Sequence, residues 1–570
     1  MTDPAQSVQG LQVSRLRQIA QPKASKPAAI SGWTLGALAV AALAGLPIAA
    51  IGWTAVVGAG AGSGATLGNL AATVLPTYIA NTALLMLLAG GIAAIVGTGC
   101  AWLIAATRFP GRNVLGWALV LPLALPAYLA AYIYADILDF AGPVQTALRG
   151  AMGWGADDYA FPAIRSLGGG ALVLGFVLYP YVYLLARTAF ATQSMTQFRA
   201  ARSLGAGPTR ALWRVALPAA RPAIAGGLAL VLMEVLADFG VAEYFAIPTF
   251  STGIFRSWLA MGDKAAALKL AAVMLAFVIA LVAWEARTRR GRSDSRDGLS
   301  ARPTDEPLVA LSPVGRGLAF AACAVPVLIG FVLPAGYLAS LALTDTAQAA
   351  AGELATYIRG SLWLGLATAA LCLAAALLLA FARARSSSRL AASAIRVATL
   401  GYALPGALLA VGLLAPLGAF DQSLTRFARD SLGWSGGLML TGTSAVLVYA
   451  LSVRFLTVAY NSVSGGLARI PPALDAAARS LGAGPARVLA RIYAPLLAPS
   501  LAAAAALVFI DTLRELPATL ILRPFNLETL ATRTYRLASD ERLVEAAIPA
   551  LILLAAGLLP VRVLNRLGKR

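Results

Sequence analysis

Four acidic residues interrupt long apolar stretches of this sequence and are the side chains most able to do chemistry there. Glu234 and Asp238 stand four residues apart, and Asp511 and Glu515 repeat that spacing 277 residues later. A spacing of four places both carboxylates of a pair on one face of a helix. If that helix crosses a membrane from Pro222, Glu234 lies about 18 Å deep in an apolar layer roughly 30 Å thick. An ionisable group at that depth usually faces a water-filled path or a charged partner.

Two interpretations of these acidic pairs are open. Two pairs related by a two-fold axis would form an acidic ring that suits a passing cation, and this predicts a translocation pathway. Arg514, close to Asp511 in the sequence, would instead make a buried ion pair that only holds helices together.

Other candidates for chemistry are scarce. Histidine is absent, and the three cysteines fall inside apolar runs, where packing residues rather than disulfides are expected. No metal site can be assigned with certainty. The glycine-rich stretch from Gly58 to Gly68 lacks the lysine of a GxxxxGK(S/T) phosphate loop. We therefore predict no catalytic residues and no cofactor bound by this chain.

The composition is that of a membrane protein. Hydrophobic residues make up 59% of the 570 residues and charged residues 12%, about half the charged fraction of a soluble domain. The net charge of +20 does not indicate nucleic-acid binding, because the basic residues are spread between apolar runs. Lysine and arginine concentrate in alternate loops and in the tails, which predicts that both termini are cytoplasmic.

Twelve apolar runs predict an all-α polytopic fold of two parallel six-helix repeats. An even number of spans per repeat gives both repeats the same orientation, related by an axis along the membrane normal. The predicted spans are 33–57, 78–106, 114–137, 168–190, 222–246 and 268–286, then 317–343, 360–382, 397–420, 440–461, 499–521 and 546–562. The first repeat is 33–286 and the second 317–562, joined by a basic cytoplasmic linker at 287–316. Cytoplasmic tails are predicted at 1–32 and 563–570.

The nine residues AARSLGAGP occur twice, from Ala200 to Pro208 and from Ala477 to Pro485. A glycine suits the end of a helix and a proline the start of the next. Each copy therefore predicts a rigid helical hairpin between two spans, at about 191–221 and 462–498. A duplicated structural hairpin without a partner is the alternative.

These residues resemble the coupling loop of permease subunits of bacterial binding-protein-dependent ABC importers. The matching positions are Arg199, Ala200, Ala201, Gly205, Gly207, Pro208 and Pro218, then Asp475, Ala477, Ala478, Gly482, Gly484, Pro485 and Pro495. Arg199 and Ala476 stand where that family usually has glutamate. The resemblance implies the type I importer permease fold, two copies of a cytoplasmic ATPase that bind ATP, and a periplasmic or lipid-anchored binding protein. It also implies the bacterial inner membrane as location.

The segments after Glu234 are similar to fused, two-half permeases of ferric-iron importers. They comprise Leu236–Val241, Pro248–Arg256 with Gly262 and Asp263, and Arg514–Pro517. The similarity implies ferric iron as the solute, and thiamine, aminoethylphosphonate and polyamine importers share the architecture. Hard ferric iron prefers oxygen ligands, which fits the absence of histidine. Arg256, Arg533 and Arg536 would meet an accompanying anion or acidic residues of a docking protein.

A secondary transporter of parallel repeats, with the acidic pairs as proton or sodium sites, is a hypothesis from another class. A membrane scaffold or sensor is a weaker one, because it has no use for paired carboxylates at that depth. The repeated hairpin favours the importer, since a secondary transporter needs no pair of identical docking elements.

Overall fold

The computed structural model describes residues 32–57, 72–191, 193–290, 309–344, 350–386, 388–433 and 435–567. Most of the predicted tails and of the predicted linker lie outside these ranges. The described residues form helices joined by short turns, and an isolated β-bridge joins Thr107 to Val309. The prediction of an all-α polytopic protein is confirmed.

The helices of the first half follow the predicted order, with short helices between the long ones. They are α1 (Gly32–Val57), α2 (Leu75–Ala106), α3 (Arg112–Ala118), α4 (Ala127–Leu138), α5 (Pro143–Met152), α6 (Leu167–Ala191), α7 (Gln193–Ser203), α8 (Pro208–Ala211), α9 (Leu217–Ala237), α10 (Gly240–Tyr244), α11 (Phe250–Phe255) and α12 (Lys264–Arg290). A 3₁₀ turn at Leu121–Ala124 precedes α4, and π-turns at Leu212–Ala216 and Arg256–Ala260 precede α9 and α12.

The second half repeats this order. Its helices are α13 (Pro313–Val327), α14 (Leu333–Ala342), α15 (Leu354–Arg385), α16 (Arg389–Ala398), α17 (Gly406–Leu432), α18 (Ser444–Leu467), α19 (Pro472–Ser480), α20 (Pro485–Val488), α21 (Ala494–Arg514), α22 (Pro517–Leu522), α23 (Leu530–Ser539) and α24 (Leu543–Leu567). Further π-turns at Leu328–Val332 and Leu489–Tyr493 and 3₁₀ turns at Ala350–Glu353 and Gly401–Ala403 complete it.

Within the described ranges, ten helices are long and apolar enough to cross a membrane. An eleventh span is obtained when the pair Arg112–Ala124 and Ala127–Met152, bent by 93°, is counted as one. The apolar stretch Leu543–Leu558 is shorter than the others. These segments occupy the places of the twelve predicted spans.

Two predicted span ends are wrong. The spans expected at 222–246 and 499–521 stop at Ala237 and Arg514, and short separate helices follow. The apolar run continues past each break, so hydropathy alone could not show it. The run expected at 397–420 is likewise divided, because α17 starts only at Gly406, after a proline that favours extended backbone in the residue before it.

The first helical segment of each half packs against the other half. α1 contacts α15, α16 and α17, and α13 contacts α2 and α3. One polar contact between the halves accompanies each of these helix contacts. The Thr34 and Ser386 hydroxyls lie 3.2 Å apart, and the Val309 amide donates to the Ala106 carbonyl at 3.2 Å. The two halves of the sequence are therefore interlocked.

Close helix packing within each half depends on glycine. A Cβ on Gly97 of α2 would lie 2.8 Å from the Tyr179 carbonyl oxygen of α6, and one on Gly227 of α9 would lie 2.7 Å from the Val182 Cα. Small residues let helix backbones approach in a membrane, where the hydrophobic effect does not drive helices together. α6 thus lies at the centre of the first half, between α2 and α9.

Candidate functional site

A cavity of about 150 Å³ lies where the two halves meet. The first half contributes the 3₁₀ turn before α4, the start of α4, the middle of α6 and the break after α9. The second half contributes Tyr402, part of α18 and the break after α21. Because one water molecule needs roughly 10–15 Å³ by this measure, the cavity has room for a small hydrated solute.

The four predicted pathway residues all line this cavity. They are Glu234, Asp238, Asp511 and Glu515. The expectation that each pair shares one helical face is wrong, since α9 and α21 end one residue before the second acid of each pair. Asp238 and Glu515 instead stand at the breaks.

Asp238 and Glu515 cap the short helices that follow them. The Asp238 carboxylate accepts from the Val241 and Ala242 amides, both at 3.1 Å. The Glu515 carboxylate accepts from the Ala518 and Thr519 amides, both at 3.0 Å. Carboxylates bound to the first amides of a helix satisfy donors that have no partner within the helix. The second acid of each pair therefore has a structural role that the sequence spacing did not reveal.

Glu234 and Asp511, the first acids of each pair, occupy equivalent places near the ends of α9 and α21. Neither accepts a backbone hydrogen bond among the described residues. The Tyr402 hydroxyl lies 3.5 Å from Glu234 Oε1 across the boundary between halves. These two carboxylates remain available to a solute in the cavity.

Two arginines of the second half also line the cavity, so its wall is not purely acidic. Arg454 Nη1 lies 3.7 Å from Glu515 Oε1, and both side chains are largely buried. Arg514 donates to the carbonyl oxygen of Leu123 in the first half. Among the described residues Arg514 and Asp511 form no direct ion pair, although the Arg514 charge acts on Asp511 through space. The alternative that Arg514 and Asp511 serve only to hold the helices together stays a prediction.

Arg454 and the tyrosines Tyr128, Tyr181 and Tyr402 were missed by the sequence analysis. Arg454 had a usable signal, since an arginine inside an apolar run is a candidate for function just as an acid is. The tyrosines had none, because tyrosine is common in apolar helices and its spacing here follows no motif.

An aromatic layer with side chains from both halves packs against the cavity wall. Tyr132 of α4, next to cavity-lining Tyr128, contacts Tyr244 edge-on with ring centroids 4.3 Å apart. Its hydroxyl lies 3.4 Å from that of Ser539 in the other half. Phe239 packs against Phe255 with centroids 4.3 Å apart. This aromatic layer therefore joins the two halves next to the cavity.

An ionic contact between the halves lies next to Tyr244 of the aromatic layer. Arg165 Nε is 2.7 Å from Asp139, and its Nη2 is 3.6 Å from Glu541 of the second half. Glu541 has a φ of 60°, unusual for a residue other than glycine. Gly262, at the equivalent place before α12, has a φ of 66°.

The arginines predicted to meet an anion or a docking protein have partners in this chain. Arg256 lies 3.4 Å from Glu243, and Arg536 pairs with Glu528. Arg533 stacks over the Tyr357 ring at 5.1 Å. These contacts account for the three arginines without an external anion.

Each AARSLGAGP copy forms a helix, a turn and a second helix, as its residues predict. Arg199, Ala200 and Ala201 lie in α7, Gly205 has a φ of 85°, and Pro208 opens α8 after Gly207. In the second copy Asp475, Ala477 and Ala478 lie in α19, Gly482 has a φ of 78°, and Pro485 opens α20 after Gly484. Pro218 and Pro495 follow the π-turns, near the starts of α9 and α21.

Both hairpins leave an apolar side chain in the open at the tip. Leu204 is 88% exposed and Leu481 is 86% exposed. Phe198 of α7 is by contrast fully buried and packs edge-on against Trp102 of α2, with centroids 5.1 Å apart. The first hairpin is thus fixed to its half at the base and exposed at the tip, as a docking element requires.

Among the described residues, no group of three or more cysteine and acidic side chains lies close enough to hold a metal ion. The cavity therefore offers carboxylates without a closed metal site.

Comparison with known proteins gives a family match in the first half. Residues 97–287 match the model of the family described as binding-protein-dependent transport system inner membrane component. That range runs from α2 to α12 and includes the first hairpin and the first acidic pair.

Among curated proteins, the chain is 25% identical to the Fe(3+)-transport system permease protein FbpB 2 of Haemophilus influenzae, over 86% of this chain and 89% of that protein. It is 28% identical to the molybdenum transport system permease protein ModB of Escherichia coli, over 34% of this chain and 85% of that protein. It is 33% identical to a putative 2-aminoethylphosphonate transport system permease protein, PhnV, of Salmonella typhimurium, over 24% of this chain and 51% of that protein.

Proposed function

We propose that this multi-span membrane protein passes ferric iron from a binding protein into the cytoplasm. The match of residues 97–287 to the binding-protein-dependent transport system inner membrane component family supports this proposal, as do the ten described helices that are long and apolar enough to cross a membrane. The two halves act as one complete permease pair. ATP is hydrolysed by separate ATPase subunits, one at each hairpin. The chain lies in the bacterial inner membrane with both termini cytoplasmic.

One observation carries the choice of ferric iron. The similarity to the Fe(3+)-transport permease extends through both halves, over 86% of this chain, whereas the molybdenum and phosphonate relatives match 34% and 24%. The cavity between the halves presents Glu234 and Asp511, whose oxygens suit a hard cation.

The hairpins are placed to transmit movement to the cavity. Pro208–Ala237 is a continuous stretch of 30 residues, so the second arm of the first hairpin and the helix that carries Glu234 are one rod. The second copy has the same order of α20, π-turn and α21, which carries Asp511. A push on either hairpin would therefore reach the cavity wall, and the aromatic layer would open as the halves move apart.

An oxyanion such as molybdate is the second candidate, because relatives named for molybdenum transport match part of the chain. The arginines Arg454 and Arg514 favour it, while the carboxylates Glu234 and Asp511 oppose it. Thiamine, aminoethylphosphonate and polyamines remain alternative substrates. An ion-gradient-driven carrier does not account for the family match.

Substrate identity is tested by uptake of radiolabelled ferric iron in cells with the chain, its ATPase and its binding protein. Cells that lack only this chain serve as the control, and parallel samples receive excess unlabelled molybdate or thiamine. We expect uptake that depends on the chain and is unaffected by either competitor. Equal iron uptake with and without the chain would overturn the ferric-iron assignment.

A further inference from the structure

The cavity wall is symmetric in its acids and asymmetric in its bases. Glu234 and Asp511 are 277 residues apart, as are Asp238 and Glu515. The same offset from Arg454 and Arg514 leads to Val177 and Ala237, which also line the cavity. The positive charge is therefore supplied by the second half alone, and the duplication does not account for it.

Some hydrogen-bond donors in this wall have no partner in the described part of the chain. Arg454 Nη1, Arg514 Nε and the Tyr128 hydroxyl are buried and make no hydrogen bond. A buried donor without a partner is costly, so such groups usually serve a ligand or ordered water. These three residues line the same small cavity.

The contacts already made by the arginines do not use up their donors. Arg454 approaches Glu515 at 3.7 Å, longer than a hydrogen bond, and Glu515 is satisfied by the helix it caps. Arg514 donates a hydrogen bond from Nη1 to the Leu123 carbonyl oxygen, and its Nε makes no hydrogen bond. Neutralising the acids is therefore not their whole role.

We propose that the cavity takes its cargo as an ion pair, a ferric cation that still carries an oxyanion. Glu234 and Asp511 interact with the cation, and Arg454, Arg514 and Tyr128 donate to the anion. The proposal rests on ferric iron as the transported cation. It adds that a bare cation is not the transported species, and that the arginines select the anionic partner.

The direct test is double-label uptake into proteoliposomes that hold the whole importer with ATP inside. The binding protein is loaded with labelled ferric iron in the presence of one labelled oxyanion at a time, namely phosphate, carbonate or citrate. We expect at least one anion to enter in constant ratio to iron. Iron entering with none of the three would overturn the ion-pair proposal and leave ferric-iron transport standing. Entry of neither label would overturn both.

Two variants of Arg514 and one control variant test whether this arginine binds the anion. Arg514→Ala, which installs the residue of the first half, should lower coupled uptake about tenfold or more, the scale of one charge-assisted hydrogen bond. Arg514→Lys should restore part of it, since a donor and a charge return. Arg187→Gln is the matched control, because Arg187 also donates to a backbone carbonyl, at 3.0 Å from Gly116 oxygen, but lies outside the cavity.

The result that contradicts this assignment is unchanged anion-to-iron ratio and uptake in Arg514→Ala. Folding is checked by size-exclusion profile and ATPase binding of the same preparations. If Arg514→Ala does not fold, Arg514→Lys decides alone. Its iron uptake and anion-to-iron ratio are then measured with phosphate and with a larger oxyanion, and values equal to wild type with both would overturn the assignment of the anion to Arg514.

Discussion

Asp238 and Glu515 each accept two backbone hydrogen bonds, whereas Glu234 and Asp511 face the same cavity without such bonds among the described residues. Acids that look equivalent in the sequence thus have separate roles. One of each pair caps the short helix after the break, and the other faces the cavity without a backbone hydrogen bond among the described residues. A polar group's role is set by its partners more than by its spacing.

Replacing Asp238 with asparagine should destabilise the protein more than Glu234→Gln does. The asparagine side chain would present a single neutral acceptor to the two amides of α10, and weakened caps of this kind cost roughly 1–2 kcal/mol. Thermal unfolding of the detergent-solubilised chain checks this. Equal midpoints for the two variants would contradict the division of roles.

Gly406→Ala should damage the cavity wall. A Cβ there would lie 2.3 Å from Glu515 Oε1 and 2.7 Å from Arg454 Nη1, and Glu515 is held by the helix that it caps. Overpacking of a fixed site costs typically about 1–3 kcal/mol, so the unfolding temperature should fall. Gly91→Ala in α2 is the control, since its Cβ meets nothing within 4 Å. If Gly406→Ala is as stable as the control, the side chains of Glu515 and Arg454 can move aside and the prediction is wrong.

At the scale of elements, the π-turns before α9 and α21 join each hairpin to a helix of the cavity wall. Pro218 and Pro495, which lack an amide hydrogen, follow these turns closely. A π-turn absorbs the missing hydrogen bond without ending the helix. The hairpin arm and the cavity helix are therefore continuous through the π-turn.

Leu204→Ser combined with Leu481→Ser should weaken ATPase binding and leave the fold intact. Both leucines are almost fully exposed at the hairpin tips, so their loss removes no internal packing. Co-purification of the ATPase with the double variant measures the effect. Leu343→Ser is the control, because Leu343 is 79% exposed but distant from the hairpins in sequence. Full ATPase recovery with the double variant would rule out the tips as the docking site.

The helix–turn–helix of both hairpins was predictable because glycine and proline act locally. Gly205 and Gly482 have the positive φ that their positions after a helix predicted. The breaks at Ala237 and Arg514 were not predictable from hydropathy, since apolar residues continue past them. The acids after each break were visible, but their capping bonds depend on a turn that only the structure shows.

At the scale of the whole molecule, the exchange of first helices ties the halves into one unit. The repeats were visible in the sequence at 277 residues, but this exchange was not, because it involves contacts between distant segments. The cavity likewise needs both halves. Its two arginines and four acids come together only when the interlocked halves are assembled.

Deletion of residues 1–57 should destabilise the second half as well as the first. α1 packs on α15, α16 and α17, and its loss would expose the buried faces of those helices. Co-expressed fragments 1–290 and 309–570 keep all these contacts and should assemble into a stable pair. Limited proteolysis of the second half compares the two designs. Equal resistance after deletion and after splitting would contradict the interlocked arrangement.

Passage of the solute between Glu234 and Asp511 is the central claim about the whole molecule. The measurement that tests this directly is ATP-driven uptake of radiolabelled ferric iron into proteoliposomes with the complete importer, wild type against Glu234→Gln with Asp511→Asn. We expect uptake to fall about tenfold or more, as loss of charged partners implies, while ATPase binding stays at the wild-type level. Normal uptake by the double variant would show that the cation does not depend on these carboxylates and would contradict the claim.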